Sequence, residues 1–369
     1  MDASNNTISV GTLREWMENQ ERVFILDVRP AAEREEWQIP GSHHIDAYKR
    51  LREGDYTVLD EIVIPEGHKV VTVCAAGRTS VIASNALRQK GIPAYSLEGG
   101  MKAWGTAWNV AHRQFNGFEV LQLRRTGKGC LSYIIASAKE AVIIDASLPL
   151  EVYQQLVRQY GLSIKYVMET HIHADHLSRS REAAALFQAP LFLPASCKVQ
   201  FAFNGITADT VFHVGSIKLH TILTPGHTLD SLSFYVEDEI VLTGDTLFTN
   251  GVGRPDLKAS EEESRQKATL LYQSLGKLLS LPDKVAILPA HTDKPVAFDG
   301  VMISVTIGET RKHIPLLQGT EAHFINTLLQ KIPPTPANYL SIVEKNLKGE
   351  PADDNATDLE AGANRCAVS

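Results

Sequence analysis

The chain has 369 residues, 44% of them hydrophobic and 21% charged, with 17 Pro and 25 Gly; this describes a globular protein with room for two cores and excludes a disordered, collagenous or low-complexity chain. A net charge of −7 and a pI near 6.0 give no electrostatic reason to bind nucleic acid or an anionic membrane. No stretch approaches the ~18 apolar residues of a membrane helix, the N-terminal segment lacks the basic and apolar blocks of a secretory signal, and Cys74, Cys130, Cys197 and Cys366 are too dispersed for a disulfide framework, so a reducing cytoplasm is expected.

All four tryptophans, Trp16, Trp37, Trp104 and Trp108, fall in the first 108 residues, which suggests a boundary near there. Within 5–108, apolar runs at 23–26, 70–73 and 93–97 read as buried strands, and 79–89 has helical periodicity, a pattern that predicts an α/β domain with a parallel sheet. Residues 109–117 are polar and read as a linker. From 118 to 348 the alternation resumes, with helices expected over 150–160 and 178–188 and strands over 130–136, 141–144, 164–169, 217–223, 231–235, 240–242 and 285–288, followed by C-terminal helices. Residues 349–369 form an acidic tail, with five acids and no base between Gly349 and Asn364, expected to be solvated.

Val70 to Val73 runs into Cys74-Ala75-Ala76-Gly77-Arg78-Thr79-Ser80 and then a helix. A tight loop of small residues at a helix N-terminus stabilises an anionic sulfur, so Cys74 is a candidate nucleophile. Adjacent His43 and His44 would point to opposite faces of an extended segment and are expected to be structural. Together with Leu26-Asp27-Val28-Arg29-Pro30, Ile39 to Asp46 and Leu97 to Trp104, the loop makes residues 5–108 resemble a rhodanese domain. The resemblance implies sulfane-sulfur transfer through a persulfide on Cys74, with Arg78 in the catalytic loop. Such loops usually carry arginine at the sixth position, whereas Arg78 is fifth and Thr79 sixth.

The second region holds Thr170-His171-Ile172-His173-Ala174-Asp175-His176 after a strand-like run, with His227, Asp245 and His291 each after another. His171 and His173 share a face of an extended segment, and Asp175 and His176 can turn to a neighbouring position. This ordered set resembles a metallo-β-lactamase-fold protein over about 118–300, which implies an αββα sandwich with a metal site at one edge. Spacing leaves the metal count open. Two Zn ions held by His171, His173 and His227 and by Asp175, His176, Asp245 and His291 would suit hydrolysis, as in a glyoxalase-II-like thioester hydrolase with an attached rhodanese domain. One Fe(II) held by His171, His227 and Asp245 would leave open positions for O2 and a thiolate.

The segments 169–177, 224–228, 242–248, Gly251-Val252-Gly253-Arg254-Pro255-Asp256-Leu257 and the tail Ala363 to Val368 resemble persulfide dioxygenases of this fold. That resemblance implies one Fe(II) per chain on His171, His227 and Asp245, with His173, Asp175, His176 and His291 around it. It also implies glutathione persulfide and O2 as substrates, with sulfite or thiosulfate linking the two chemistries. Arg254 is expected to meet a substrate carboxylate. These dioxygenases commonly carry Asp-Tyr after the last histidine, where Thr292-Asp293 stands here. Cys130 and Cys197 read as packing residues, and Cys366 lies in the tail motif. Self-association is left open.

Overall fold

The computed structural model describes residues 6–336, 338–352, 356–362 and 364–368. In the N-terminal unit five strands form an all-parallel sheet, in the order Thr7–Ile8, Ala94–Leu97, Lys69–Val73, Val23–Asp27 and His43–His44. Strands buried on both faces read as continuous apolar runs, which is why 23–26 and 70–73 were visible in the sequence. The helix Arg78–Gln89 starts one residue after Gly77, whose φ of +80° turns the chain sharply from strand into helix.

The second unit is a sandwich. A seven-stranded sheet runs Asn204–Ile206, Leu191–Pro194, Ser163–Met168, Glu140–Ile144, Leu131–Ser137, Phe118–Arg124 and Asn109–Phe115. A six-stranded sheet runs Val211–Val214, Ile217–Leu223, Leu232–Val236, Ile240–Gly244, Ala286–Pro289 and Val305–Thr306. Side chains alternate strictly between faces. Tyr133, Ile135, Val142 and Ile144 enter the core between the sheets, while Ile134, Ala136, Ala141 and Ile143 pack under the helix Leu150–Tyr160. The helix Glu261–Leu279 covers the outer face of the second sheet through Ala268, Leu271, Leu275 and Leu278. The result is an α/β chain in which a parallel-sheet domain precedes an αββα sandwich. Among the described residues no helix is long and apolar enough to cross a membrane.

Two expectations fail. Residues 109–115 are not a linker but the edge strand of the seven-stranded sheet, paired in register from Asn109 with Arg124 to Phe115 with Phe118. The polar side chains that suggested solvent belong to the exposed stretch His112, Arg113 and Gln114, while Ala111 is buried. The two units therefore meet without a spacer. Trp37 Nε1 donates to the carbonyl of Thr126 at 3.0 Å, and Arg125 Nε to that of Gly105 at 2.6 Å. Gly127 is required at this seam, because a Cβ there would stand 1.9 Å from the Trp104 carbonyl oxygen.

The described part of the acidic tail is also not a solvated extension. Glu360 is buried, its carboxylate 2.6 Å from Arg125 Nη2 and 2.8 Å from Arg179 Nη1, and it accepts from the Leu177 amide. Ala367–Val368 pairs antiparallel with Val252–Gly253. Hydrophobic pattern could not announce this, because the anchor is a charge. Burial pushes the Glu360 carboxyl up, but the charges of Arg125 and Arg179 outweigh it and bring it down to about 2.

A group held below its unfolded value contributes stability above that value and loses it as pH falls through the folded value. Glu360→Gln is therefore expected to cost about 3–5 kcal/mol at neutral pH, since two guanidinium ions lose their shared partner. Thermal unfolding of both proteins between pH 7 and about pH 2 checks this: the difference should hold above about pH 5 and shrink below it. A constant difference across that range would contradict the buried ion pair.

Candidate metal centre

Strand direction assembles the site. Ile217–Leu223 and Ile240–Gly244 are each antiparallel to Leu232–Val236 between them, and Ile240–Gly244 is parallel to Ala286–Pro289. All three therefore end at the same edge of the sheet, delivering His227, Asp245 and His291. Ser163–Met168 of the other sheet delivers the segment 170–176. Gly244, at φ +53°, permits the close approach of the two: a Cβ would stand 2.7 Å from Thr170 Oγ1.

His171, His227 and Asp245 offer three ligand atoms within 4.8 Å of one another, all on buried residues. His171 Nε2 and His227 Nε2 lie 3.8 and 3.6 Å from Asp245 Oδ2. Their tautomers are set from behind. Thr170 Oγ1 gives its proton to Asp145 Oδ2 at 2.9 Å, so it accepts from His171 Nδ1 at 2.9 Å. His227 Nδ1 donates to the Arg254 carbonyl at 2.8 Å. Both Nε2 lone pairs thus face the centre, the arrangement that metal-binding imidazoles use. Burial pushes the pKa of both His171 and His227 down, keeping them neutral. Asp245 is held low: burial opposes ionisation, but His291 outweighs it. His171 Nε2 and Asp245 Oδ2 are buried without a hydrogen-bond partner, as are both ring nitrogens of His173 and the Nε2 atoms of His176 and His291. Two imidazoles and a carboxylate, buried with lone pairs unpaired, fit a divalent cation.

The other predicted residues divide. His173 does not join this group: its Nε2 lies 3.0 Å from Glu169 Oε2 and 3.2 Å from Asp145 Oδ1, and burial notwithstanding, those charges raise its pKa well above the ordinary value. Asp175, His176 and His291 gather beside the centre with Cys130, their ligand atoms within 4.8 Å of one another. His291 bridges Asp175, at 2.6 Å, and Asp245, at 2.5 Å. Cys130 is therefore more than a packing residue. Its thiol lies 3.3 Å from Asp175 Oδ2; burial and Asp175 push it up, but His176 and His291 prevail and bring it down to about 7. Its apolar neighbours in sequence hid this. Cys197 is half-buried, 3.3 Å from Asp230 Oδ2, and burial pushes its thiol well up.

Arg254 does not wait for a substrate. Its side chain is fully buried, with Nε and Nη2 on the two oxygens of Asp256 at 2.8 and 2.7 Å and Nη1 on the carbonyls of Pro334 and Arg365. The carboxylate it was expected to bind is internal, two residues along, and its contribution to the centre is the carbonyl that orients His227. The tail shares this work: the Arg254 amide donates to the Cys366 carbonyl, Asn364 Nδ2 donates to Asp175 Oδ2 at 2.8 Å, and the Cys366 thiol lies beside Asp245 and His291.

In the N-terminal unit Cys74 is buried, its sulfur 3.3 Å from Ser80 Oγ, which accepts from Ser96 Oγ at 2.8 Å and is free to donate to the sulfur. Ser80 comes from the first turn of the helix after the loop, and Ser96, on the neighbouring strand Ala94–Leu97, reaches the sulfur only through Ser80. Arg78 is exposed on the first turn of its helix. His43 stacks on Phe24 and His44 Nε2 pairs with the Arg29 carbonyl, so neither faces a site.

Comparison with known proteins agrees with this geometry. Residues 9–107 match the rhodanese-like domain, and residues 125–196 and 198–291 match the metallo-beta-lactamase superfamily. A probable metallo-hydrolase of Bacillus subtilis, YqgX, is 30% identical over 181 residues, 43% of this chain and 83% of that one. The mitochondrial persulfide dioxygenase ETHE1 of Bos taurus is 30% identical over 223 residues, 57% of this chain and 80% of that one. Among solved structures, ETHE1 from Myxococcus xanthus superposes with a TM-score of 0.54 at 28% identity, covering 61% of this chain and 96% of that one. With its paired strand ends, its buried His/Asp centre and these relatives, the chain belongs to the metallo-beta-lactamase superfamily and carries a rhodanese-like domain ahead of that fold.

Proposed function

We propose that the protein is a persulfide dioxygenase coupled to sulfane-sulfur transfer: glutathione persulfide, O2 and water give glutathione and sulfite. The observation that carries this reading is the partition of the histidines. His171, His227 and Asp245 form a three-ligand set with an open side, while His173 Nε2 faces the carboxylates of Asp145 and Glu169, so the zinc-type trio His171, His173 and His227 is not gathered. A two-His, one-carboxylate set suits Fe(II), which supplies O2 activation and open positions for a sulfur anion. The ETHE1 relatives support the same choice.

The remaining residues supply orientation and shelter. Thr170 and the Arg254 carbonyl fix the two imidazoles, and His291 holds Asp245 Oδ1 so that Oδ2 stays free. A cavity of about 590 Å³ reaches His227 and includes Tyr339 and Lys267 in its wall, a volume in the range for a tripeptide thiol carrier. Tyr339 puts a phenol in that wall, whereas Thr292-Asp293 puts none beside the last histidine. At the other unit the Cys74 sulfur accepts sulfane sulfur, with Ser80 placed to hydrogen-bond the thiolate.

One observation favours a second reading. The group Cys130, Asp175, His176 and His291 offers a neighbouring ligand set, and a binuclear zinc hydrolase acting on a glutathione thioester would use it. Oxygen uptake separates the two: the dioxygenase consumes O2 only with persulfide and carries iron, whereas the hydrolase carries zinc and turns over thioester without O2.

Asp245→Ala should lose bound iron and reduce oxygen uptake by more than about 100-fold, while His291→Ala should retain iron with a loss of about 10- to 100-fold, because it acts through Asp245. Metal analysis and an oxygen electrode check this, and unchanged iron in Asp245→Ala would remove that residue from the ligand set. Cys74→Ser should abolish thiosulfate sulfurtransferase activity, since a hydroxyl forms no persulfide, and leave oxygen uptake on pre-formed glutathione persulfide intact. Loss of that uptake would place the thiol inside the oxygenase chemistry.

A further inference from the structure

Three cavities adjoin along the C-terminal segment, between the Cys74 loop and the metal centre. The first, about 300 Å³, has Ala75 and Ala76 of the loop in its wall together with Arg125, Glu360, Ala361 and Gly362. The second, about 250 Å³, shares Ala361 and Gly362 with the first and adds Lys128, Asp175 and Tyr339. The third is the 590 Å³ cavity at His227, which shares Ala174 and Tyr339 with the second. Neighbouring cavities thus share wall residues all the way from the Cys74 loop to His227, along the tail.

The wall of each cavity includes a buried cation with unused donors, alongside carboxylates: Glu36 and Glu360 in the first, Asp175 in the second, Asp230 and Glu263 in the third. Arg125, 2% exposed, spends Nη2 on Glu360 and Nε on the Gly105 carbonyl, and its Nη1 has no partner. Lys128, 4% exposed, has a single hydrogen bond, from Nζ to the Gly362 carbonyl at 3.3 Å. Lys267, 9% exposed, likewise has one, to the Leu257 carbonyl at 3.3 Å. An ammonium carries three donors, and keeping it desolvated with one weak acceptor is costly unless an anion visits. Three such cations in three adjoining cavities suit the passage of an anion. The first two cavities lie at or below the small end of the volumes that hold a drug-sized ligand, so they suit a small anion and not a whole tripeptide.

We propose that this row of cavities hands sulfite from the metal centre to the Cys74 persulfide without full release, an inference that rests on the dioxygenase reading above. At Cys74 the sulfite sulfur attacks the outer sulfur of the persulfide and the Cys74–sulfur bond breaks. Thiosulfate leaves, and Cys74 returns as the thiolate. The persulfide is reloaded from a second glutathione persulfide, which departs as glutathione, so no outside oxidant or reductant is needed. Ala361 and Gly362 are exposed, so the row is open along one side and bulk sulfite competes with the handed-over ion.

The test follows the iron-loaded protein turning over glutathione persulfide and O2 in the presence of isotopically labelled sulfite. Thiosulfate made by the parent should carry less label in its sulfonate sulfur than the free sulfite pool. Lys128→Met should bring it to the pool value while oxygen uptake and thiosulfate–cyanide sulfurtransferase activity stay unchanged. Label equal to the pool in the parent from the first time point overturns the proposal. Calorimetric titration of anaerobic Cys74→Ser protein with inorganic sulfite gives a readout that needs no turnover, and Lys128→Met added to it should weaken binding about tenfold by removing a charge-assisted contact. Identical affinity in the two proteins also overturns it. If no O2 is consumed with persulfide, the dioxygenase reading fails by itself, and the titration alone decides whether these cavities take an oxyanion.

Discussion

Burying the Nε2 lone pairs of His171 and His227 against Asp245 Oδ2 is the constraint on which this site depends. Burial keeps the imidazoles neutral while the carboxylate stays ionised, so the trio carries a net negative charge on buried side chains. Such a charge is tolerable only if a cation answers it or the surroundings spread it. The shell does the second in part, through the His291 contact to Asp245, and leaves His171 Nε2 and Asp245 Oδ2 for the first. The backing groups Thr170 and the Arg254 carbonyl hold this geometry, and Asp145 both backs Thr170 and faces His173.

The C-terminal segment extends the same logic across the molecule. Glu360 pairs with both Arg125 and Arg179, and Arg125 also donates to the Gly105 carbonyl of the rhodanese-like unit. A few residues later the tail pairs with Val252–Gly253, receives the Arg254 amide and reaches Asp175 through Asn364. One stretch of chain therefore touches the seam between the units, the backing of His227 and the Asp175 side of the histidine cluster. The two units are thus packed against each other rather than strung on a linker.

How far the sequence disclosed this depended on the range of each interaction. The strands at Val23–Asp27, Lys69–Val73 and Ile217–Leu223, the helix Leu150–Tyr160, and the ordered histidines and aspartates were legible because periodicity and ligand chemistry are local. The edge strand Asn109–Phe115 was not, since polar residues on an edge strand look like a linker until the partner strand is known. Arg254 was misread because its guanidinium finds Asp256 and two distant carbonyls, and its useful atom is a backbone oxygen that every residue possesses. Cys130 was misread because apolar neighbours in sequence say nothing of Asp175, His176 and His291 in space. The tail was misread because acidic composition signals solvation until buried arginines answer it.

The central claim is a single three-ligand metal seat, and a crystal of the iron-loaded protein tests it most directly. An anomalous difference map at the iron absorption edge should show one peak per chain, in contact with His171 Nε2, His227 Nε2 and Asp245 Oδ2. Two peaks, or a single peak seated among Cys130, Asp175, His176 and His291, would contradict the account.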